Sequence, residues 1–377
     1  MKKELIFIAL ALVLAGSCSK NELKERENAP QEISFRTIAL ATKVDGSVFP
    51  ITETFSAYAW ADGTVGTYFM DNVTVAYDPS DNGWKPQGET YYWPKYSPVD
   101  FVCYYPTGLS GITVDKDKIT YAGIDVNALQ QDIMYADKAA GFSNNVDLAT
   151  DGANAYTGVP TVFRHALAKV KFVIALAYNH KKEADGTVTD WEVTVNSLGL
   201  GDIYTKGGCV LNLASTPTSG LIPWEKPADA NGFNVWTPEG TKANLAGAIS
   251  GQTIVPGTNY DALNEVYVLP QVLEAGTQKV NIGITIKTKR NGADFLNETF
   301  TRTVDIATTA LAAWQMNHVY TYKLVLAPTA SNGNGGTPID PSNPVDPNDP
   351  NLDDVVITFD PAVSDWESVG VETVLNI

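Results

Sequence analysis

Apolar and polar residues alternate in short runs along most of this chain, and the runs are rich in Val, Ile, Thr, Tyr and Phe. A period of two places successive side chains on opposite faces of an extended strand. Ile33, Phe35 and Thr37 share one face, with Ser34 and Arg36 on the other. Val99, Phe101 and Cys103 alternate with Asp100, Val102 and Tyr104 until Pro106 ends the run. Val170, Phe172, Ile174 and Leu176 stand against Lys169 and Lys171, which reads as a half-buried strand with a wet face. Val280, Ile282, Ile284 and Ile286 repeat the pattern against Asn281, Gly283, Thr285 and Lys287, and residues 320–326 close the folded body. Gly, Pro, Asn and Asp punctuate the runs at the close spacing of β-sandwiches. Helical periodicity is weak, and residues 126–136 fit either a short helix or an irregular loop. The pattern predicts an all-β protein.

Breaks in the pattern divide the chain. An aromatic-rich block, 44–158, is followed by a second block, 159–326, that opens on Val159-Pro160. Within it, residues 214–250 carry Pro, Gly, Asn and Ala without a strong strand signal and are expected to form a long surface loop. Residues 327–352 hold a Gly/Asn/Ser stretch and then Pro338, Pro341, Pro344, Pro347 and Pro350, a linker without a core. In polyproline II form it would reach on the order of 60–80 Å, at about 3.1 Å per residue. Alternation returns in 353–377. Val355, Ile357 and Phe359 form one row, and after Trp366 the residues Val369, Val371, Thr373, Leu375 and Ile377 form another. A lone strand pair cannot bury its apolar face or satisfy its backbone groups, so this tail must dock on its own body or in another molecule.

The start of the chain has a different pattern. Lys2 and Lys3 precede an unbroken apolar run at 5–14, which ends in Ala15-Gly16-Ser17-Cys18. The run suits the core of a signal peptide and falls short of the about 20 apolar residues that span a bilayer. Residues 1–17 are therefore expected to be a signal peptide, with Cys18 as the lipidation site. Its thiolate would take a diacylglycerol and its freed amine a further acyl chain. Ser19-Lys20-Asn21-Glu22 resembles the Lys-plus-acidic tags that send Bacteroidetes lipoproteins to the outer face of the outer membrane, and a plain charged tether is the competing reading. Residues 19–32 lack apolar periodicity and are expected to be flexible.

Charge and composition narrow the function. A formal net charge of -17 argues against a nucleic-acid partner, whose phosphates require a basic patch. Cys103 and Cys209 can pair or remain two buried thiols, and either way no disulfide framework supports the fold. His165, His180 and His318 have no ligand-type spacing, and no nucleophile elbow, phosphate loop or dinucleotide fingerprint is present. No catalytic residue, metal site or cofactor is expected. Asp78-Pro79-Ser80-Asp81-Asn82-Gly83 reads as turn chemistry rather than a calcium loop. Trp60, Trp224 and Trp236 lie in Gly/Pro/Asn-rich surroundings where rings can stack on sugars, although core filling explains most aromatic residues.

Several motifs then occur in an informative order. Tyr91-Tyr92-Trp93-Pro94 is followed by Val99-Asp100-Phe101-Val102-Cys103-Tyr104-Tyr105-Pro106, then Phe163-Arg164-His165-Ala166-Leu167-Ala168-Lys169-Val170. Val268-Leu269-Pro270-Gln271, Trp314-Gln315-Met316-Asn317, Tyr320-Thr321-Tyr322 and the tail Ile357-Thr358-Phe359 with Trp366 complete the set. Together they resemble the fimbrillin family, the type V pilins of Bacteroidetes, over nearly the whole chain.

The resemblance implies two tandem transthyretin-like β-sandwich domains, 44–158 and 159–326, with a C-terminal donor-strand tail at 353–377. It also implies a lipidated pro-segment, 18–43, whose first strand is removed at the surface by an Arg- or Lys-specific protease. Ile33, Phe35 and Thr37 would be the groove-filling residues of that removable strand. Lys43 would be the cut, Arg36 being a poorer choice inside the strand; the family usually has arginine there. Val355, Ile357, Phe359, Val369, Val371, Leu375 and Ile377 would form the donor. The implied partners are other pilin subunits, in a homopolymer or a mixed fimbria, the processing protease, and outer-membrane lipid held through Cys18 before processing. Strand addition of this kind draws strength from backbone hydrogen bonds and register from alternating side-chain pockets. Because donor and acceptor surfaces differ, the contact propagates into a filament at the cell surface.

Overall fold

In the strand Ala168–Leu176 every second residue is buried, as Val170, Phe172, Ile174 and Leu176 point inward and Lys169 and Lys171 outward. That alternation recurs throughout the computed structural model. It describes residues 32–37, 49–61, 68–80, 83–94, 97–142, 158–161, 163–182, 184–213, 236–246, 249, 251–261, 266–306, 312–328, 355–365 and 373–374, with the backbone alone described at 36–37, 160, 261, 327–328, 355–365 and 373–374. Most of these residues are in strands, joined by turns and bends. Among the described residues there is one helical turn, Val126–Leu129, capped by the Asp125 carboxylate, which accepts from the Asn127 and Ala128 amides. Residues 126–136 thus combine that turn with the strand Met134–Ala136.

Two six-stranded sheets face each other in the later part of the chain. One is centred on Ala168–Leu176 and His318–Pro328, the other on Val188–Ile203 and Lys279–Arg290. Phe172, Ile174, Tyr322 and Leu324 of the first pack with Val193, Val195, Ile282 and Ile284 of the second, a β-sandwich core.

The earlier part is built on a nine-stranded sheet. Its path runs from Val159–Thr161 through Phe35–Thr37, Gly83–Pro86, Met70–Asp78, Thr54–Ala61, Val99–Tyr105 and Met134–Ala136 to Phe163–His165. The two ends of that path are consecutive strands separated by a single residue, so the sheet curls until its ends meet. Both faces of Val99–Tyr105 are buried, one by this curl and the other by a separate sheet. Phe101, Cys103 and Tyr105 enter the core enclosed by the curl, and Val102 and Tyr104 enter another core beneath a four-stranded sheet.

The four-stranded sheet joins the two parts. It pairs Lys118–Asp125 with Lys206–Asn212, and Trp236–Glu239 lies beyond. Val159–Thr161 and Phe163–His165, which the sequence pattern groups with the second block, pair within the first sheet. The expected long loop at 214–250 is corrected over its described part, because Trp236–Glu239 and Ala243–Ala246 are strands. Their short length and interleaved Pro, Gly and Asn hide the period of two.

Candidate functional site

The first strand, Phe35–Thr37, is three residues long, yet it is an interior strand. It runs parallel to Val159–Thr161, with Phe35 opposite Val159, Arg36 opposite Pro160 and Thr37 opposite Thr161. On its other side it is antiparallel to Gly83–Pro86, with Phe35 opposite Trp84. The residues just before it are held as well. The Ile33 amide donates to the Tyr91 carbonyl at 2.8 Å, Glu32 bridges Tyr92, and the Ser34 carbonyl accepts from the Val159 amide at 2.7 Å.

Side-chain burial matches this pairing. Ile33 is 2% exposed and Phe35 1%. The Phe35 ring meets Phe55 and Phe101 edge-on, with centroids 5.7 and 5.6 Å apart. Such edge-to-face contacts satisfy the ring quadrupoles, so the slot is shaped for an aromatic ring with a branched aliphatic side chain two residues earlier. Phe49 continues the aromatic wall against Phe55, Trp84, Tyr105 and Phe163. Gly158 admits the strand on its far side. It has φ +118°, and a Cβ there would lie 3.0 Å from the Phe35 carbonyl carbon and from the Ser34 oxygen. Without the first strand, two rows of backbone groups would face each other across one strand's width.

The tail is held differently. The strand Val355–Asp365 pairs antiparallel with His318–Pro328 in its own chain, from Val355 opposite Pro328 to Asp365 opposite His318. Thr373–Val374 pairs with it at Ala362 and Val363. The tail therefore covers what would otherwise be a sheet edge, the usual point of unwanted association.

The sequence motifs have physical counterparts in this framework. Tyr91 and Tyr92 hold the backbone at Ile33 and Glu32, and Trp93 packs on the same core. Arg164 and Asp137, both buried, form a two-pronged ion pair at 2.6 and 2.8 Å. The Ala166 carbonyl accepts from the Trp236 indole at 2.6 Å, and the Leu167 carbonyl from the Asn317 amide at 2.9 Å. Gln271 both donates to and accepts from the Tyr204 backbone. The Trp314 indole donates to the Tyr322 hydroxyl, and the Gln315 amide to the Tyr320 hydroxyl. Asp100 accepts from the Gly141 amide and pairs with Lys116 and Lys138, each at 3.1 Å. Burial opposes ionisation of Asp100, but these donors outweigh it and hold the carboxyl below the usual range.

Cys103 and Cys209 are buried thiols in separate cores and are not joined in a disulfide, and burial pushes the Cys103 thiol far up. Trp236 is 3% exposed and stacks on Tyr121, which fits core filling rather than sugar stacking. Trp60 is half-buried beside Tyr58 and Tyr68. His165 pairs with Asp132, His180 with Asp190, and His318 with the Met316 carbonyl. Among the described residues no group of three or more His, Cys, Asp or Glu is placed to hold a metal. Asp78 caps its own turn at Ser80. Cys18, Lys43, Trp224, Trp366, Val369, Val371, Leu375 and Ile377 lie outside the described residues. Sequence reasoning missed the strand Val159–Thr161 and the role of Gly158, although the adjacent Gly-Val-Pro-Thr is a visible turn-to-strand signal.

Comparison with known proteins places this architecture. A pattern described as fimbrillin-like matches residues 42–342, and the chain belongs to that family. Among solved structures it is similar to a fimbrial protein from Bacteroides vulgatus, at 15% identity and a TM-score of 0.56, over 89% of this chain and 99% of that one. It is also similar to a candidate cell adhesion protein from Bacteroides uniformis, at 17% identity and a TM-score of 0.47, over 89% and 99% of the two chains. A comparison with curated proteins finds no match.

Proposed function

We propose that this chain is a structural pilin, a stalk subunit of a surface fimbria that contributes to adhesion. In this reading it is exported as a lipoprotein anchored through Cys18 and cut after Lys43 by an Arg/Lys-specific surface protease. The freed groove is then filled by the 353–377 tail of another subunit, the same protein or a different pilin. Membership of the fimbrillin-like family supports a fimbrial, cell-surface role. The observation that carries the mechanism is the short first strand, paired on both sides and anchored by two buried side chains. A cut at Lys43, midway in sequence between Thr37 and Phe49, would release this strand and leave the Phe49 wall in place. Such an exchange replaces one strand by another of like chemistry, so the acceptor core is restored and no edge stays open.

The test is assembly of purified, lipid-free protein after limited trypsin treatment. A new N-terminus at Val44 with large assemblies is expected from wild type. Loss of assembly is expected when residues 353–377 are deleted or Lys43 is replaced by Ala. Normal assembly of the tail-deleted protein would sink the proposal.

A further inference from the structure

The tail carries a second version of the segment that fills the slot. Ile33-Ser34-Phe35-Arg36 and Ile357-Thr358-Phe359-Asp360 share an isoleucine, a small hydroxyl residue, a phenylalanine and a charged residue in the same order. We propose that in the fimbria Phe359 of one subunit takes the place of Phe35 in the next, and Ile357 that of Ile33. This rests on the strand-exchange reading. It adds the register, and the choice between the two apolar rows of the tail.

The slot itself makes the choice. Phe35 is 1% exposed between the edges of Phe55 and Phe101, so a donor without a ring there leaves a void in a close-packed core. The only aromatic residues in 353–377 are Phe359 and Trp366. The row of Val369, Val371, Thr373, Leu375 and Ile377 offers none, and Trp366 has the polar Ser364 two residues earlier in place of an aliphatic.

Chain direction agrees. Because Ile precedes Phe in both segments, the donor would enter in the direction of the first strand. It would keep the parallel ladder to Val159–Thr161 and the antiparallel pair to Gly83–Pro86. Pro361, which has no amide hydrogen, then falls at the position of Thr37, the last residue of the first strand.

The same residues have a competing use. In its own chain Phe359 lies opposite Leu324 and Ile357 opposite Leu326. One strand cannot hold both registers, so docking at its own edge and donation to a neighbour exclude each other. The tail is held extended in its own chain until a vacant slot is presented.

The test uses full-length protein carrying both Asp360→Cys and Pro160→Cys, cleaved with trypsin and then oxidised. Arg36 lies opposite Pro160, so the proposal sets Asp360 opposite Pro160 of the next subunit. Strands about 4.8 Å apart are within disulfide reach. Cys103 and Cys209 are buried and stay out of the reaction, and Cys18 precedes the cut at Lys43 and is removed by purifying the cleaved protein before oxidation. A ladder of disulfide-linked oligomers from the 360/160 pair, with none from Glu372→Cys and Pro160→Cys, is expected. A ladder from the 372/160 pair instead overturns the register and leaves strand exchange standing. Failure of cleaved wild type to assemble overturns exchange, and the register with it. As a check that does not depend on cysteines, Phe359→Ala should weaken assembly at least ~100-fold, since truncating a buried Phe opens a large cavity. Val371→Ala should change it by less than about threefold, as for a site outside the contact. The reverse order would overturn the assignment.

Discussion

The first strand and the tail are both short, separate β segments, yet the protein holds them by different means. Phe35–Thr37 offers few residues but is paired on both sides and anchored by Ile33 and Phe35 in a closed core. Val355–Asp365 lays eleven residues along one sheet edge and has Thr373–Val374 over only part of its outer side. Burial of apolar side chains supplies most of the stabilisation in a closed slot, at about 1.5–3 kcal/mol for each large residue. Backbone hydrogen bonds at an edge add little net, about 0.5–1.5 kcal/mol each, because water competes for the same groups. Paired on both sides, the first strand should leave its slot only when the chain is cut, whereas a strand whose outer side is only partly paired should be released reversibly. A donor is useful when its own docking is weak and its target is deep.

Breaking the slot should have the largest effect. Phe35→Ala in uncleaved protein is expected to lower unfolding stability by about 3–5 kcal/mol, read from denaturant titration. Deleting 353–377 should cost less than this. If the two costs were equal, the contrast between slot and edge would fail.

Gly158→Ala attacks the slot from its rim, where the φ of +118° and the 3.0 Å approach of Phe35 leave no room for a methyl group. A loss of about 1–3 kcal/mol is expected, with a lower thermal midpoint. Gly240→Ala, also at positive φ but with open space around it, is the control for backbone strain alone and should cost less.

Hydrogen exchange sharpens the comparison without mutating either segment's core. In the tail-deleted protein the amides of His318–Pro328 should lose protection while those of Gly83–Pro86 keep theirs. A uniform loss would mean that the tail supports the whole fold.

The smallest effect concerns acid. Asp100, on the strand that carries Phe101, has its carboxyl held below the usual range in the folded state. Its contribution is present above the unfolded value near 3.9 and is lost as pH falls through the folded value. Asp100→Asn should therefore flatten the fall in stability below about pH 4 and leave tail docking unchanged.

Much of this was legible in the chain. The alternations at Ala168–Leu176 and Lys279–Arg290 mark core strands because each has one face in a core and a period of two to show it. Val99–Tyr105 is legible as a strand from its run of Val, Phe and Tyr although both its faces are buried. Ile33 and Phe35 were legible as one shared face from a period of two, and both are buried. The sequence left Trp236 open between core filling and exposure, because its burial depends on Tyr121 and the Ala166 carbonyl, both distant in sequence. The strand Val159–Thr161 was hidden because three residues cannot display a period, and because its partner is the first strand, reached only when the sheet curls. The ion pair of Arg164 with Asp137 was invisible for the same reason, since it depends on the pairing of Phe163–His165 with Met134–Ala136. Local pattern identifies strands; which strands become neighbours is decided by closure of the sheet.

The central claim is that cutting the chain opens a slot that only the tail of another subunit fills. The most direct measurement is light scattering on lipid-free wild type and its 353–377 deletion, each before and after trypsin, with N-terminal sequencing of the products. Strand exchange predicts monomers of both before cleavage. After release at Val44 it predicts large assemblies from wild type alone. Cleaved wild type that stays monomeric, or a cleaved deletion that assembles equally well, would contradict it.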